Sequence, residues 1–404
     1  MAQNVPVAAS ARPERARLEP GDLEPGAPLP LDIFDRSGTK LLGRGQFVRD
    51  LAQLERLLEI GLWGEADAVQ SLRGGRVAPH AAAAAAPLQF RAVSAFDELR
   101  VLRTDLHALL GGPGDALAVD GGFAASVRAM AARLMHAVEL DPDAAIATIA
   151  WLRDRPYAPR QAVNVAVVTD LLLAQAGVEA TARASAVCAA LTMNLSIHAL
   201  QDTLYDVKTP DAAQQALLRD HPRRSAEWLA ATGVEDRAWL DAVQQHHQAA
   251  DGSDHPAGPA GTKSGLAARA IAIADRFCTV VSERAYRSAL PASLALKKMT
   301  GGGNPALDLE MAHLLARVMG AWPPGTVVML RSAELAVVTH RTANPRGPIA
   351  RAVRTRDGIA SKSFPKRSTL GDTFAIVEES GCERLPPGLD VASLWKAAIE
   401  AAPA

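Results

Sequence analysis

The sequence predicts a mainly α protein: a helical bundle with a small α+β module before it and a β-rich appendage after it. Three observations lead there. Apolar residues recur at helical spacing almost throughout from about Ala95 to Met319. The apolar share, 49% of the 404 residues, is dominated by Ala, Leu and Val. Strand-like alternation is confined to the two ends of the chain. A chain of this length has room for about two to four domains.

Residues 1–28 contain no continuous apolar run and read as a disordered tail, not a signal peptide. Residues 29–72 form the α+β module. Within them LPLDIFDRSGTKLLGRGQFV alternates around a Ser37-Gly38 turn, which predicts a β-hairpin. Leu51, Leu54, Leu57, Leu58 and Leu62 then mark one face of a helix. Residues 73–94 are rich in Ala, Pro and Gly and read as a linker.

The helical core spans residues 95–320, with roughly eight to ten helices expected. Val127, Met130, Leu134 and Val138 lie at helical spacing, and Asp141-Pro142 is a cap followed by a first-turn proline. Pro159 and Pro222 predict further helix starts, and Gly177, Gly233 and Gly252 punctuate the pattern. Residues 321–404 form the β-rich appendage. Strands are expected over Thr326–Leu330, Glu334–His340, Ile349–Arg354 and Phe374–Glu378, with a short closing helix near Val391–Glu400.

Composition excludes some functions. Lys and Arg number 43 against 44 acidic residues, so the basic excess of a phosphate-driven DNA or RNA binder is missing. Aromatics at 4% argue against a base-stacking platform. Three scattered cysteines without a CxxC pair indicate neither a disulfide framework nor a thiolate zinc site, and fit a cytoplasmic protein. No uncharged run is long enough to span a membrane.

The chemistry concentrates between Trp239 and Arg287. His246 and His247 stand near a helix end, Asp251-Gly252-Ser253 follows in a loop, Asp275 lies in the apolar segment IAIADRF, and Arg284 and Arg287 come after it. His221 begins the preceding segment with Pro222. Imidazoles and a carboxylate converging from several helices suit a divalent transition metal. Neighbouring side chains on a helix diverge by about 100°, so both adjacent histidines reach one pocket only at a helix end. Arg284 and Arg287, three apart on one helical face, would make a phosphate clamp. Each of these residues also has a plain structural role open to it, as a surface group or an ion-pair partner.

The order of these elements resembles the HD-GYP family of bacterial metal-dependent phosphodiesterases that hydrolyse cyclic di-GMP. The matching stretches are His246-His247 with Asp251-Gly252-Ser253, Ala274-Asp275, Arg284-Ala285-Tyr286-Arg287, and the tail from Trp322-Pro323-Pro324-Gly325 to Val338. The resemblance implies an HD-domain-like bundle, with His221, His246, His247 and Asp275 as metal ligands and Arg284, Arg287 and Asp251 as ligand contacts. It also exposes departures. Gln161 stands where the family has a histidine, Met193 and Asn194 where it has its His-Asp pair, and Ile197 where it has a lysine. His198 and His255 are spare imidazoles nearby.

Asn194 offers one neutral oxygen in place of a bridging carboxylate, and the Met193 thioether is a poor ligand for Fe, Mn or Zn. The resemblance therefore implies one divalent ion (Fe, Mn or Zn) on the remaining histidines, or none. Three functions follow as expectations: a non-catalytic module that binds cyclic di-GMP or a signalling protein, a phosphohydrolase with altered mononuclear chemistry, or a purely structural scaffold.

Overall fold

The structure is a computed structural model that describes residues 15–19, 22–23, 31–36, 40–42, 62–67, 69–70, 94–111, 122–248, 264–303 and 307–396. By its contacts the chain divides into two units, residues 1–89 and 90–404.

The first unit is built on a four-stranded sheet of order β1-β4-β2-β3: β1 (Arg15–Arg17), β2 (Ile33–Phe34), β3 (Lys40–Leu42) and β4 (Trp63–Glu65). β2 and β3 pair antiparallel across the expected hairpin, Ile33 opposite Leu42 and Phe34 opposite Lys40. Two expectations change. Arg15–Arg17, assigned to a disordered tail, is a strand paired with Trp63–Glu65. Arg-Ala-Arg shows no apolar periodicity; pairing and the adjacent Leu18, buried with Leu31, Ile33 and Leu62, hold it. Leu62, expected on a helical face, is not helical and lies directly before β4. Most of the expected helix from Leu51, and the linker before Ser94, lie outside the described residues.

The second unit begins with α1 (Ala95–Leu110), α2 (Gly122–Leu140), α3 (Pro142–Trp151), α4 (Tyr157–Gln175) and α5 (Ala180–Thr192). A 3₁₀ turn, Leu195–Ile197, leads into α6 (His198–Leu204), followed by α7 (Ala212–Ala231), α8 (Arg237–Gln245), α9 (Leu266–Val280), α10 (Ala292–Thr300) and α11 (Leu309–Met319). Asp141 caps α3 by accepting the Ala144 N–H at 2.8 Å, with Pro142 in the first turn as expected. Pro222 does not start a helix. A capping box of Asp211 and Gln214 starts α7 earlier, and Pro222 sits inside it.

α4 is the axis of the bundle. Every residue from Tyr157 to Asp170 is buried, because α1, α2, α3, α5, α6, α9 and α11 all pack around it. A helix surrounded on all sides has no solvent face to spend on charge. Its polar members Arg160, Gln161, Asn164 and Asp170 therefore need partners.

The C-terminal sheet has order β8-β7-β6-β5-β9 with antiparallel neighbours: β5 (Val327–Leu330), β6 (Leu335–His340), β7 (Ile349–Arg354), β8 (Lys366–Ser368) and β9 (Ile376–Glu379). β8 was not expected, since KRS carries no strand pattern. A short helix α12 (Ser393–Lys396) closes the described chain.

The sheet is not a detached appendage. Val327, Leu335, Val337, Val353, Leu394 and Trp395 share one apolar core with the helices. Trp151 Nε1 donates to the Gly325 carbonyl at 2.9 Å. Gly325 has φ +95°, and a Cβ there would lie 3.0 Å from Trp151 Nε1 and 3.1 Å from Ala147 Cα, so glycine permits the close approach. Cys188 and Cys278 are buried free thiols and Cys382 is an exposed one. Among the described residues no helix is long and apolar enough to cross a membrane.

Candidate metal centre

α7 presents His221, Ser225 and Leu229 to the interior at four-residue spacing, and Pro222 beside His221 is buried too. Pro222 has no N–H, so it leaves the Leu218 carbonyl without its helical partner. The His221 Nδ1 atom takes that carbonyl at 2.6 Å. The proline that interrupts the helix ladder thereby orients the imidazole beside it.

α8 is amphipathic, with Trp239, Ala242 and Val243 buried. It ends at Gln245, so His246 and His247 lie just past its last turn, where adjacent side chains can converge. His246 is fully buried and its Nδ1 meets the Val243 carbonyl at 2.6 Å. That carbonyl belongs to the last turn of α8, whose acceptors lack helical donors.

These two contacts decide the tautomers. A carbonyl only accepts, so both Nδ1 atoms carry the proton and both Nε2 atoms present lone pairs. The two Nε2 atoms face each other at 3.2 Å. With both rings neutral, no proton lies between them, and the arrangement asks for an electrophile. An ion about 2.1 Å from each nitrogen at a near-tetrahedral angle would space them by about 3.4 Å. His247 completes the set: one nitrogen from each of the three rings lies within 4.8 Å of the others. His221 and His246 are buried and His247 is exposed, so the cluster has one open side.

Burial also keeps the His221 and His246 rings neutral. It lowers the His221 pKa to about 4, with the neighbouring His247 charge adding to the effect. Burial, then the charges of His247 and His221, push His246 well below the ordinary histidine value. Neutral imidazole is the ligating form. The donor set fits a divalent transition metal, and fits hard, all-oxygen ions poorly.

The other sequence-derived positions fall as follows. Asp275, expected as a fourth ligand, is not in the cluster within that range. Its Oδ1 accepts a hydrogen bond from Gln161 Nε2 at 2.8 Å. Met193 is fully buried, Ile197 is buried and Asn194 half-buried, all in the turn between α5 and α6. That turn bridges the two histidine-bearing helices. Thr192 Oγ1 accepts from Trp239 Nε1 at 2.8 Å, and Ser196 Oγ donates to the His221 carbonyl at 3.2 Å. His198 stacks beside His107 with ring centroids 5.9 Å apart, and is not in the cluster. Asp251 and His255 lie outside the described residues.

Arg284 and Arg287 are not on a helical face. They bracket a tight turn, joined by backbone hydrogen bonds of 2.9 and 3.0 Å, because α9 ends at Val280. The Arg284 guanidinium lies 3.8 Å above the Tyr157 ring, and Arg287 donates to the Thr279 carbonyl at 2.6 Å. Sequence reasoning missed Tyr157 and Tyr205, which stack at 5.6 Å, with Arg155 4.1 Å over Tyr205. A cleft beside them is lined by Arg153, Arg160, Tyr205, Val281, Ser282 and Glu283. At about 50 Å³ it is far too small for a nucleotide. Arg103 was missed too. It is buried and donates to the Leu152 carbonyl and Asn164 Oδ1, each at 2.7 Å. A lone arginine in an amphipathic helix gives no sequence sign of that role.

Residues 145–311 match the HD-domain family, a stretch that runs from within α3 into α11 and includes all three histidines. This segment is an HD domain. A cyclic di-GMP phosphodiesterase of Pseudomonas aeruginosa is 29% identical over 125 residues, which cover 31% of this chain and 30% of the relative. A 3'3'-cGAMP-specific phosphodiesterase of Vibrio cholerae is 27% identical over 169 residues, 42% of this chain and 36% of the relative. The chain thus spans about a third of the length of these curated relatives. Among solved structures, an HDG"Y"P protein of Bdellovibrio bacteriovorus aligns at a TM-score of 0.43 and 14% identity, over 76% of this chain and 99% of that one. The HD domain is homologous to cyclic di-GMP phosphodiesterases of the HD-GYP kind.

Proposed function

We propose that this protein is a non-catalytic module of cyclic di-GMP signalling, acting through nucleotide binding or protein interaction. The observation that carries this reading is the pair Met193-Asn194 at the position where the resemblance puts the family's His-Asp pair. Two-metal hydrolysis needs a charged carboxylate between the ions, which an amide oxygen does not replace. Gln161 stands in place of a further histidine that the resemblance implies as a ligand. The three remaining histidines would hold one divalent ion (Fe, Mn or Zn), which supplies Lewis acidity when bound.

Cyclic di-GMP or a signalling protein is the partner in this reading, with Asp251, Arg284 and Arg287 as candidate ligand contacts. Two phosphates need only a few local arginines, which accords with a net charge of −1. A cytoplasmic location belongs to the same reading. A second reading, a phosphohydrolase with mononuclear chemistry, is favoured by the converging Nε2 lone pairs of His221 and His246. Metal analysis after chelator-free purification, calorimetry with cyclic di-GMP, and a hydrolysis assay with added Mn or Fe separate them. Binding without turnover supports the signalling module. Turnover at an ordinary enzyme rate selects the phosphohydrolase, and neither metal nor nucleotide binding leaves a scaffold.

A further inference from the structure

We infer that the cleft lined by Arg153, Arg160, Tyr205 and Ser282 is a binding site for one phosphate-sized oxyanion. It lies where the end of α3 and the first turn of α4 meet the chain leaving α9. No histidine lines it, and neither do Asp275, Arg284 or Arg287. The site therefore requires neither the metal centre nor the signalling role.

The first observation is a buried cation without a counter-charge. Arg160 is only 5% exposed, yet no carboxylate among the described residues pairs with it. The acids near this end of α4 are engaged elsewhere. Asp154 pairs with Arg103 at 3.5 Å and Asp206 with Arg155 at 2.8 Å. Asp202 Oδ1 accepts the Tyr157 and Ala158 N–H groups at 2.6 and 3.0 Å. Arg160 Nη1 donates to the Arg153 and Asp154 carbonyls. Its Nε and Nη2 make no hydrogen bond among the described residues and are not sealed in, so they are donors left for the cleft. A buried guanidinium in that state gains from an anion.

The second observation is the rest of the lining. Arg153 Nε donates to the Ala150 carbonyl at 2.6 Å and its Nη2 lies 4.0 Å from Cys382 Sγ, which leaves Nη1 without a protein partner among the described residues. Ser282 is 8% exposed and its hydroxyl makes no hydrogen bond among the described residues. The one lining carboxylate, Glu283, is exposed and pairs with neither arginine. Two guanidiniums and a hydroxyl match an anion with several acceptor oxygens. The volume of about 50 Å³ is several times the ~10–15 Å³ that one water needs, and it leaves no room for a base or ribose. The occupant is either free phosphate or the terminal phosphate of a larger molecule whose bulk stays outside.

Calorimetry on the full chain, with inorganic phosphate and with 5'-GMP as probes, tests this. Phosphate should bind the wild type, and Arg153→Gln should weaken it about tenfold. Arg153 is exposed, so the thermal midpoint of that variant should stay unchanged. Arg160→Gln should abolish binding, while His246→Ala should alter it by less than about twofold. GMP binding that falls in the same variants identifies a terminal phosphate, and phosphate binding with GMP excluded identifies the free anion. No saturable phosphate binding up to about 10 mM, or equal binding to Arg153→Gln and the wild type, overturns the inference. Cyclic di-GMP, which has no terminal phosphate, separates the two proposals. A wild type that fails to bind it sinks the nucleotide-binding form of the signalling reading and leaves the phosphate result standing.

Discussion

His221 and His246 turn their Nε2 atoms toward each other at 3.2 Å, while each commits its Nδ1 to a backbone carbonyl. In the metal-centre reading the pair is a bidentate nitrogen donor oriented before any ion arrives. Preset ligands lose little freedom on binding, so removing either one should be costly. We expect His221→Ala or His246→Ala to weaken Zn binding at least about 100-fold, measured by competition with a chromophoric chelator. Metal present at about 100 times its Kd should stabilise the wild type by about 2.7 kcal/mol, a gain that both variants lose.

Pro222→Ala separates stability from function. Alanine restores an N–H that competes with His221 Nδ1 for the Leu218 carbonyl. Helix propensity alone favours the substitution by up to about 3 kcal/mol. The freed imidazole loses its fixed orientation, and loss of such an outer contact typically costs about 10–100-fold in metal affinity. The variant should melt at an equal or higher temperature than the wild type and bind Zn more weakly. Unchanged affinity would mean that the proline is incidental.

Buried neutral histidines make the metal-free fold sensitive to acid. His221 titrates at about 4 when folded and at 6.5 in the reference state. Between those values the unfolded chain holds protons that the folded chain does not. Stability is therefore fully present above about pH 6.5 and falls as pH drops toward 4. His221 accounts for up to about 3 kcal/mol of this loss, and His246 acts in the same direction. Urea midpoints at several pH values should show the decline, and His221→Gln should flatten it.

Arg103 is a core residue in spite of its charge. Burial lowers its pKa to about 9, yet its guanidinium holds the Leu152 carbonyl and Asn164 Oδ1 together between α1, α3 and α4. Arg103→Ala leaves both acceptors buried and unpaired and opens a cavity, so a loss of about 2–4 kcal/mol is expected in chemical denaturation. Arg100→Ala, on the exposed side of the same helix, should change stability by less than about 0.5 kcal/mol.

Restoring the family's residues tests the pseudoenzyme proposal from the other direction. Asn194→Asp alone should still give one metal ion per chain by elemental analysis. Gln161→His, Met193→His and Asn194→Asp together should raise the count to two. A second ion in the wild type would contradict the proposal directly.

Much of this molecule is determined by local pattern. The apolar runs around Val127–Val138 and Ala162–Val178 need burial on helices, and Asp141-Pro142 sets a helix start through its own capping chemistry. Val327–Leu330 and Leu335–His340 are short, β-branched apolar runs that read as strands. The proximity of His246 and His247 past a helix end was legible for the same reason, since helix geometry spans only a few residues.

Other features depend on partners far away in the chain. Arg15–Arg17 is a strand only because Trp63–Glu65 lies beside it, and the sheet joins the helical core through contacts such as Trp151 with Gly325. Pro222 sits inside α7 because the capping box before it outweighs one missing hydrogen bond. The centre itself was decided in three dimensions. Residue type made His221, His246, His247 and Asp275 equal candidates, but the packing of α4 against α9 gives Asp275 to Gln161, while α7 and α8 bring the imidazoles together. A hydrogen bond across 114 residues follows from which helix faces meet, and no local pattern encodes that choice.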